Sequence, residues 1–568
     1  MQRAACLFLC FVFLAGLLTG CKKPPAASPA DAGPASEASQ TSASDTPGSA
    51  PRLGEAVPVE GFSLAENEFI RAAACRENEA LIVTGGWSEE GPDPDSRFIF
   101  VDTEACRVTS TAVFRQGSMQ NGFSGAVLEE DRVLLYDRFN DTAWVYGRDG
   151  SDQGAVDYPV DYGDNLPQRT ETADEAPLID GSFISQTGCA LFSSARNGFS
   201  RQVAAAFADD PAHIFLAEDQ DGFYTAHAGH RILLNSHEAD DTVRFRLVDA
   251  DRSRMQELVY AYPRQEQQVY LNCGPAAIGE DWVLLSVDVS WEDHQEELAL
   301  VWYPDPAGEQ EIRVEHPDRT ALREKTEALA QTLEAQYGVT FLLDTAPAPA
   351  VTPIMGLDVN YGENKCVVGA PIFGQYRIVR DLEGFFGMLP QGMVRELYTN
   401  LGYDLPDRET LEIYLVREIP GSASAFAGAW ADPMMVCFAT DEYFESNLPH
   451  EFMHLIDLRI NEYMFAHDRN WEPEWWALSP EDAYGTGGET DWSYFVSSYA
   501  ATNAGEDRAE TFARLWNSDE PLSEQYWYAE APGVQTKVQT LIRTIREVFP
   551  SVQAVEKAFW EKDPGEAS

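Results

Sequence analysis

Basic residues are scarce in this chain. Against 93 Asp+Glu stand 40 Lys+Arg, a formal net charge of −53 over 568 residues. Nucleic acid and anionic lipid surfaces would repel such a protein, so neither is expected as a direct partner. The charge suits solubility outside the cytoplasm and, more weakly, a preference for cationic substrates. Past residue 20 no stretch approaches 18 apolar residues, which excludes a further membrane-spanning helix. No cysteine pair has the C-x-x-C spacing, which argues against a thiolate zinc site. Helical periodicity is largely missing between about 60 and 315. Aromatic residues are almost missing from 22–53, a Pro/Ala/Ser/Thr-rich stretch that reads as a disordered stalk.

What is present divides the chain into four parts. Arg3, the apolar run Cys6–Leu18 and Leu18-Thr19-Gly20-Cys21 resemble a bacterial lipoprotein signal peptide over 1–20 with a lipobox. That resemblance implies a lipid on Cys21 and an anchor at the outer face of a membrane, with the linker running over 21–53. From 54 to 316 short apolar runs such as Arg97-Phe-Ile-Phe-Val101 and Trp282-Val-Leu-Leu-Ser-Val287 alternate with turn dipeptides such as Asp149-Gly150. Strand pairs recur every 40–50 residues, so this part is expected to be all-β, propeller-like or a sandwich. Its expected role is capture of substrate or partner. Cys75, Cys106, Cys189, Cys273, Cys366 and Cys437 permit three disulfides in an exported protein, and neighbour pairing (75–106, 189–273, 366–437) is the simplest of fifteen arrangements.

From 317 to 568 the pattern turns to α+β. Leu322, Leu329 and Leu333 mark a helix over Asp318–Tyr337, and Val339–Asp344 reads as a strand. A helical region over Asp381–Asn400 is broken near Pro390, Leu411–Val416 is a strand, and Ala425–Trp430 with Met434–Ala439 form a hairpin.

The chemistry lies in His450-Glu451-Phe452-Met453-His454. Residues four apart share a helix face, so both imidazoles can hold one metal ion, while Glu451 is offset toward the water the metal would activate. Asn447 and Pro449 mark the start of a helix over about Ser446–Phe465. Fifty-two residues after His454 comes Glu506, with Glu510 four further on, in a helix over about Gly505–Trp516 capped by Asn503. One of these two carboxylates can ligate a metal while the other hydrogen-bonds the outer nitrogen of a ligand imidazole; spacing alone leaves the choice open. Three protein ligands leave a fourth position for water, the pattern of a catalytic zinc site. Tyr499 can donate to a developing oxyanion. Asp457, one turn past His454, is either a partner for a ligand imidazole or a solvated surface acid. Trp471, Trp475, Trp476, Tyr484, Trp492, Tyr494 and Phe495 form an aromatic stretch that can wall a pocket or pack beneath it.

These segments, His450-Glu-Phe-Met-His454-Leu-Ile-Asp457 and Tyr499-x6-Glu506-x3-Glu510, resemble the anthrax lethal factor-like zinc peptidases, which include the Pro-Pro endopeptidases. The resemblance covers at most 317–560, with its residue-level support in 446–515. It implies a zincin-like fold and one Zn2+ on His450, His454 and Glu506. It further implies Glu451 as general base, Tyr499 as catalytic tyrosine, Glu510 as the acid behind a ligand, and the hairpin before the His helix as the strand that pairs with substrate. The expectation is therefore a lipid-anchored, extracytoplasmic metallopeptidase acting on a peptide or protein. A binding lipoprotein on an inactive zincin scaffold is the alternative, and a zinc hydrolase of non-peptide amides a third.

Overall fold

A computed structural model describes residues 53–561 except 66–67, 89–90, 94, 116–124, 138–141, 158–181, 186–187, 195–201, 208–209, 219–221, 240, 263–268, 292–293, 348–365, 400–407, 420–423, 429–433, 441–442, 444–446, 481–482, 486–489 and 519–521. Cys21 and the linker lie outside the described residues.

The N-terminal half is a set of antiparallel sheets, and the reason lies in how each strand spends its two faces. In Asp95–Asp102, Phe98 and Phe100 enter one apolar cluster with Leu128, Val133, Leu135 and Tyr146. Ile99 and Val101, pointing the other way, join Ala277, Leu284, Ala299 and Val301. A period of two thus feeds two cores, and each sheet is packed on both faces. Five such sheets follow one another. One strand from each, Glu68–Arg76, Gly125–Leu128, Ser182–Ser185, Phe223–Ala228 and Ala277–Ile278, packs against the next, and the last packs against the first. The fifth sheet takes its outer strand from the start of the described chain: Ala56–Pro58 pairs antiparallel with His294–Trp302.

Val314–Glu315 pairs with Asp210–Glu218, and the chain then turns into helix α1 (Arg319–Tyr337). Asp318 caps α1 through a 2.8 Å bond from Ala321 N–H, and Gly338 ends it in the left-handed conformation (φ 74°). Leu322 of α1 with Phe373 and Tyr376 of α2 (Ile372–Met388) closes over Ala204, Ile214 and Leu216 of the third sheet. Helix α2 begins nine residues before the expected Asp381, because Phe373, Tyr376, Ile378 and Val379 continue its buried face. Pro390 separates it from α3 (Met393–Tyr398).

The C-terminal half is mixed α/β. A four-stranded sheet runs in the order Thr340–Leu343, Leu411–Val416, Met434–Ala439, Ala425–Gly428. The first three strands are parallel; Ala425–Gly428 is antiparallel and forms the edge. The expected hairpin is thus present, with its first strand, not its second, at the edge; its turn lies outside the described residues. Helices α4 (Asn447–Ala466), α5 (Trp471–Trp476), α6 (Ala504–Trp516) and α7 (Pro532–Val548) follow, with one-turn helices at Tyr526–Ala529 and Pro550–Gln553. Phe452, Leu455, Ile456, Phe512, Leu515, Val538 and Leu541 are among the buried residues that hold them together.

Candidate metal centre

Helix α4 carries His450 and His454 one turn apart, with ring centroids 5.0 Å apart and planes nearly perpendicular (82°). Its apolar residues face the core, which leaves the histidines on the seam with α6. Asn503 caps α6 by accepting from Glu506 N–H at 3.0 Å and so sets Glu506 and Glu510 in the first two turns. Glu506 Oε2 lies 3.2 Å from His450 Nε2 and 3.6 Å from His454 Nε2. One ligand atom from each of His450, His454 and Glu506 falls within 4.8 Å of the others, so this largely buried group could hold a metal ion.

The hydrogen bonds around the trio favour a cation there. His450 Nδ1 is 2.9 Å from Glu510 Oε1. An ionised carboxylate only accepts, so Nδ1 carries a proton, and Nε2 is the atom that faces Glu506. Glu506 Oε2 is buried and makes no aligned hydrogen bond. A ring nitrogen 3.2 Å from a carboxylate oxygen needs something positive between them, either a second imidazole proton or a metal. The titration behaviour agrees. Burial works against a charged His450, yet Glu506 and Glu510 prevail and push it up to about 10. Burial also opposes charge on Glu506, but the two imidazoles hold its carboxylate well below the usual range. Two imidazoles and one carboxylate, with a carboxylate behind one imidazole, are the donors zinc takes in catalytic sites.

Glu451 points from the same helix, is 93% shielded from solvent, and burial pushes its carboxyl above its ordinary pKa. The Tyr499 ring stacks near His450 (6.1 Å, 28°), within electrostatic reach of Glu506, Glu451 and Glu510. Burial and the surrounding carboxylates raise its pKa strongly, so it stays a protonated donor at neutral pH, and 46% of its surface is exposed. The spacing left Glu506 and Glu510 exchangeable; here Glu506 faces both Nε2 atoms and Glu510 the Nδ1.

Asp457 is neither on the surface nor behind a ligand imidazole. It is buried, accepts from Trp471 Nε1 at 2.6 Å, and pairs with Arg508. The aromatic stretch divides: Trp471, Trp475 and Phe495 are core, while Trp476 and Trp492 are exposed.

Two groups were missed from sequence. Ser497 donates to Glu510 Oε2 at 2.7 Å, and its oxygen accepts from Ala500 N–H at 3.0 Å, tying Glu510 to the turn that carries Tyr499. A lone serine carries no signal of this. Asp507 and Arg508, beside Glu506, are both fully buried, Asp507 against Lys537 at 2.7 Å. A charged run on an otherwise amphipathic helix was the only sign. Of the simplest cysteine pairs, Cys366 and Cys437 are close enough to shift one another's thiol pKa, Cys366 down and Cys437 up. Cys75 and Cys106 donate instead to the carbonyls of Ile278 and Thr103. Among the described cysteines these four and Cys273 are thiols, and the Cys189 side chain lies outside the described residues.

No family model matches the chain, and no curated protein matches it. Solved structures resemble part of it. A tail fibre of Staphylococcus aureus phage P68 shares 10% identity over 44% of this chain and 53% of its own, with a TM-score of 0.25. A member of the DUF4221 family from Bacteroides vulgatus shares 8% over 47% and 98%, at 0.22. A glutaminyl cyclase from Myxococcus xanthus shares 10% over 45% and 97%, at 0.22. This chain thus spans about half the length of the tail fibre. Likenesses of this strength carry no argument about activity.

Proposed function

We propose that this chain is an extracytoplasmic zinc metallopeptidase of the lethal factor-like type, held at a membrane outer face by lipid on Cys21. The observation that carries the reading is the buried oxygen of Glu506, set between the Nε2 atoms of His450 and His454 with Glu510 behind. Bound zinc supplies Lewis-acid activation of water and of the scissile carbonyl. Glu451, shielded and with a raised pKa, takes the proton of the attacking water and passes it to the leaving amine. Tyr499, protonated and reachable from solvent, donates to the carbonyl oxygen as charge builds there. Glu510 and Ser497 hold the His450 ring in one orientation. The edge strand Ala425–Gly428 packs beside α4 and is the strand along which an extended peptide would lie. In this reading the C-terminal half is a zincin-like domain. The five sheets are the blades of a propeller closed by Ala56–Pro58, a rigid body for presenting substrate or partner.

The test is cleavage of a diverse peptide library by the zinc-loaded protein. Cleavage that disappears in Glu451→Gln, with zinc still bound, supports the reading. Equal cleavage by the two proteins, or none by folded zinc-replete parent, goes against it.

A further inference from the structure

We infer that the buried Asp457–Arg508 pair is a positioning clamp that sets the register between the two ligand-bearing helices, α4 and α6. The inference rests on the reading that His450, His454 and Glu506 hold a metal ion. Asp457 stands one turn past His454 on α4, and Arg508 two residues past Glu506 on α6. The pair therefore crosses the same helix–helix seam that the metal ligands cross. Arg508 Nη2 donates to Asp457 Oδ2 at 2.8 Å, and Nε lies 2.6 Å from Oδ1. The Arg508 side chain is 0% exposed and that of Asp457 6%. Further contacts hold the two ions. Trp471 Nε1 donates to Asp457 Oδ1, Glu472 Oε2 accepts from Arg508 Nη2 at 2.8 Å, and the guanidinium carbon lies 5.6 and 5.8 Å from the ring centroids of Trp471 and Trp475.

Stability alone does not account for such a pair. Removing two charges from water costs roughly what their attraction returns, and well-packed apolar residues of similar volume usually serve as well or better. What an apolar contact cannot supply is direction. A guanidinium held to a carboxylate by a directed N–H restrains both separation and rotation, whereas apolar faces can slide. A metal centre needs that restraint, because its ligands must be held to within about 0.5 Å. Here two ligands come from one helix and the third from another, so the seam is where that precision can be lost. Asp457 and Arg508 touch no ligand of the trio, so they act on the metal only through the helices.

The experiment uses the full chain in three forms: parent, Arg508→Lys, and the apolar double variant Asp457→Leu/Arg508→Met. Each is checked for folding by circular dichroism and titrated with Co2+, reading the visible d–d absorption and the dissociation constant by chelator competition. The clamp predicts that the folded variants bind Co2+ about tenfold or more weakly, the low end of losses around a metal site. It also predicts an altered d–d spectrum, while the double variant melts close to the parent. Parent-like affinity and spectrum in both variants would overturn the clamp and leave the pair a purely structural element. Should the double variant fail to fold, Arg508→Lys decides by the same criterion, since it keeps the charge and loses the planar guanidinium and its directed Nη2 bond. A parent protein that binds no Co2+ would overturn the metal reading itself, and the clamp with it.

Discussion

Replacing Glu510 with Ala should weaken zinc binding, by an amount that depends on pH in a defined direction. Glu510 Oε1 accepts the Nδ1 proton of His450 at 2.9 Å, in a place largely closed to water. A hydrogen bond to a charged group of this kind contributes about 1.5–3 kcal/mol. At 1.4 kcal/mol per decade that is about one to two orders of magnitude in affinity, matching the usual loss when the group behind a ligand imidazole is removed. A second effect opposes it. In the metal-free protein Glu506 and Glu510 push His450 up to about 10, so a proton competes with zinc at every pH below that. Parent affinity should rise with pH up to about 10 as that competitor leaves. Without Glu510 the imidazole gives up its proton at lower pH, so the variant meets less competition near neutrality. The gap between parent and variant therefore widens as pH rises: small near pH 7, and the full 10- to 100-fold only once the pH passes about 10. Glu510→Gln keeps an acceptor for Nδ1 and should fall between the two. Competition with a chromophoric chelator across this range, on samples checked for folding, measures the gap. Equal zinc affinity of parent and Glu510→Ala above about pH 10 would refute the assignment of Glu510 as the group that orients His450.

Two further outcomes are expected. Burial raises Glu297 to about 7, with Asp288 and Glu68 adding to the shift and only the Ile70 N–H opposing it. The folded protein therefore keeps a proton that the unfolded chain has lost, and Glu297 makes stability fall as pH rises from about 4.5 to about 7. Discounted for partial exposure, the change is on the order of 1–2 kcal/mol. Urea unfolding at several pH values should show this decline in the parent and a smaller one in Glu297→Gln; parallel curves would remove Glu297 as the cause. Cys21→Ala should move the protein from the membrane to the soluble fraction on cell fractionation, and unchanged membrane association would count against lipid at that residue.

Much of the C-terminal half was legible because its signals are local. The start of α1 is written in Asp318, and its end in Gly338, where a left-handed residue is needed. Asn503 announces α6 in the same way. The start of α2 was misplaced because Ile372–Arg380 mixes apolar residues with Gly374, Gln375 and Arg377, and its buried face shows only once the third β sheet lies against it. Asp457 read equally well as a surface acid. A charged side chain is buried only when partners await it, and those partners, Arg508 and Trp471, lie 51 and 14 residues away.

The sequence by itself determined that His450 and His454 share a helix face with Glu451 beside them, since a helix repeats every 3.6 residues whatever surrounds it. It also set the alternation of the strands in the N-terminal half. Tertiary structure alone decided that Glu506 faces the two imidazoles while Glu510 stands behind one of them. It alone made Ala425–Gly428 the sheet edge, closed the fifth sheet with Ala56–Pro58, and locked α4 to α6 through Asp457 and Arg508. Each of these depends on which of several distant, chemically equivalent groups meet. Periodicity along the chain carries no information about that, and the packing of helices and sheets settles it.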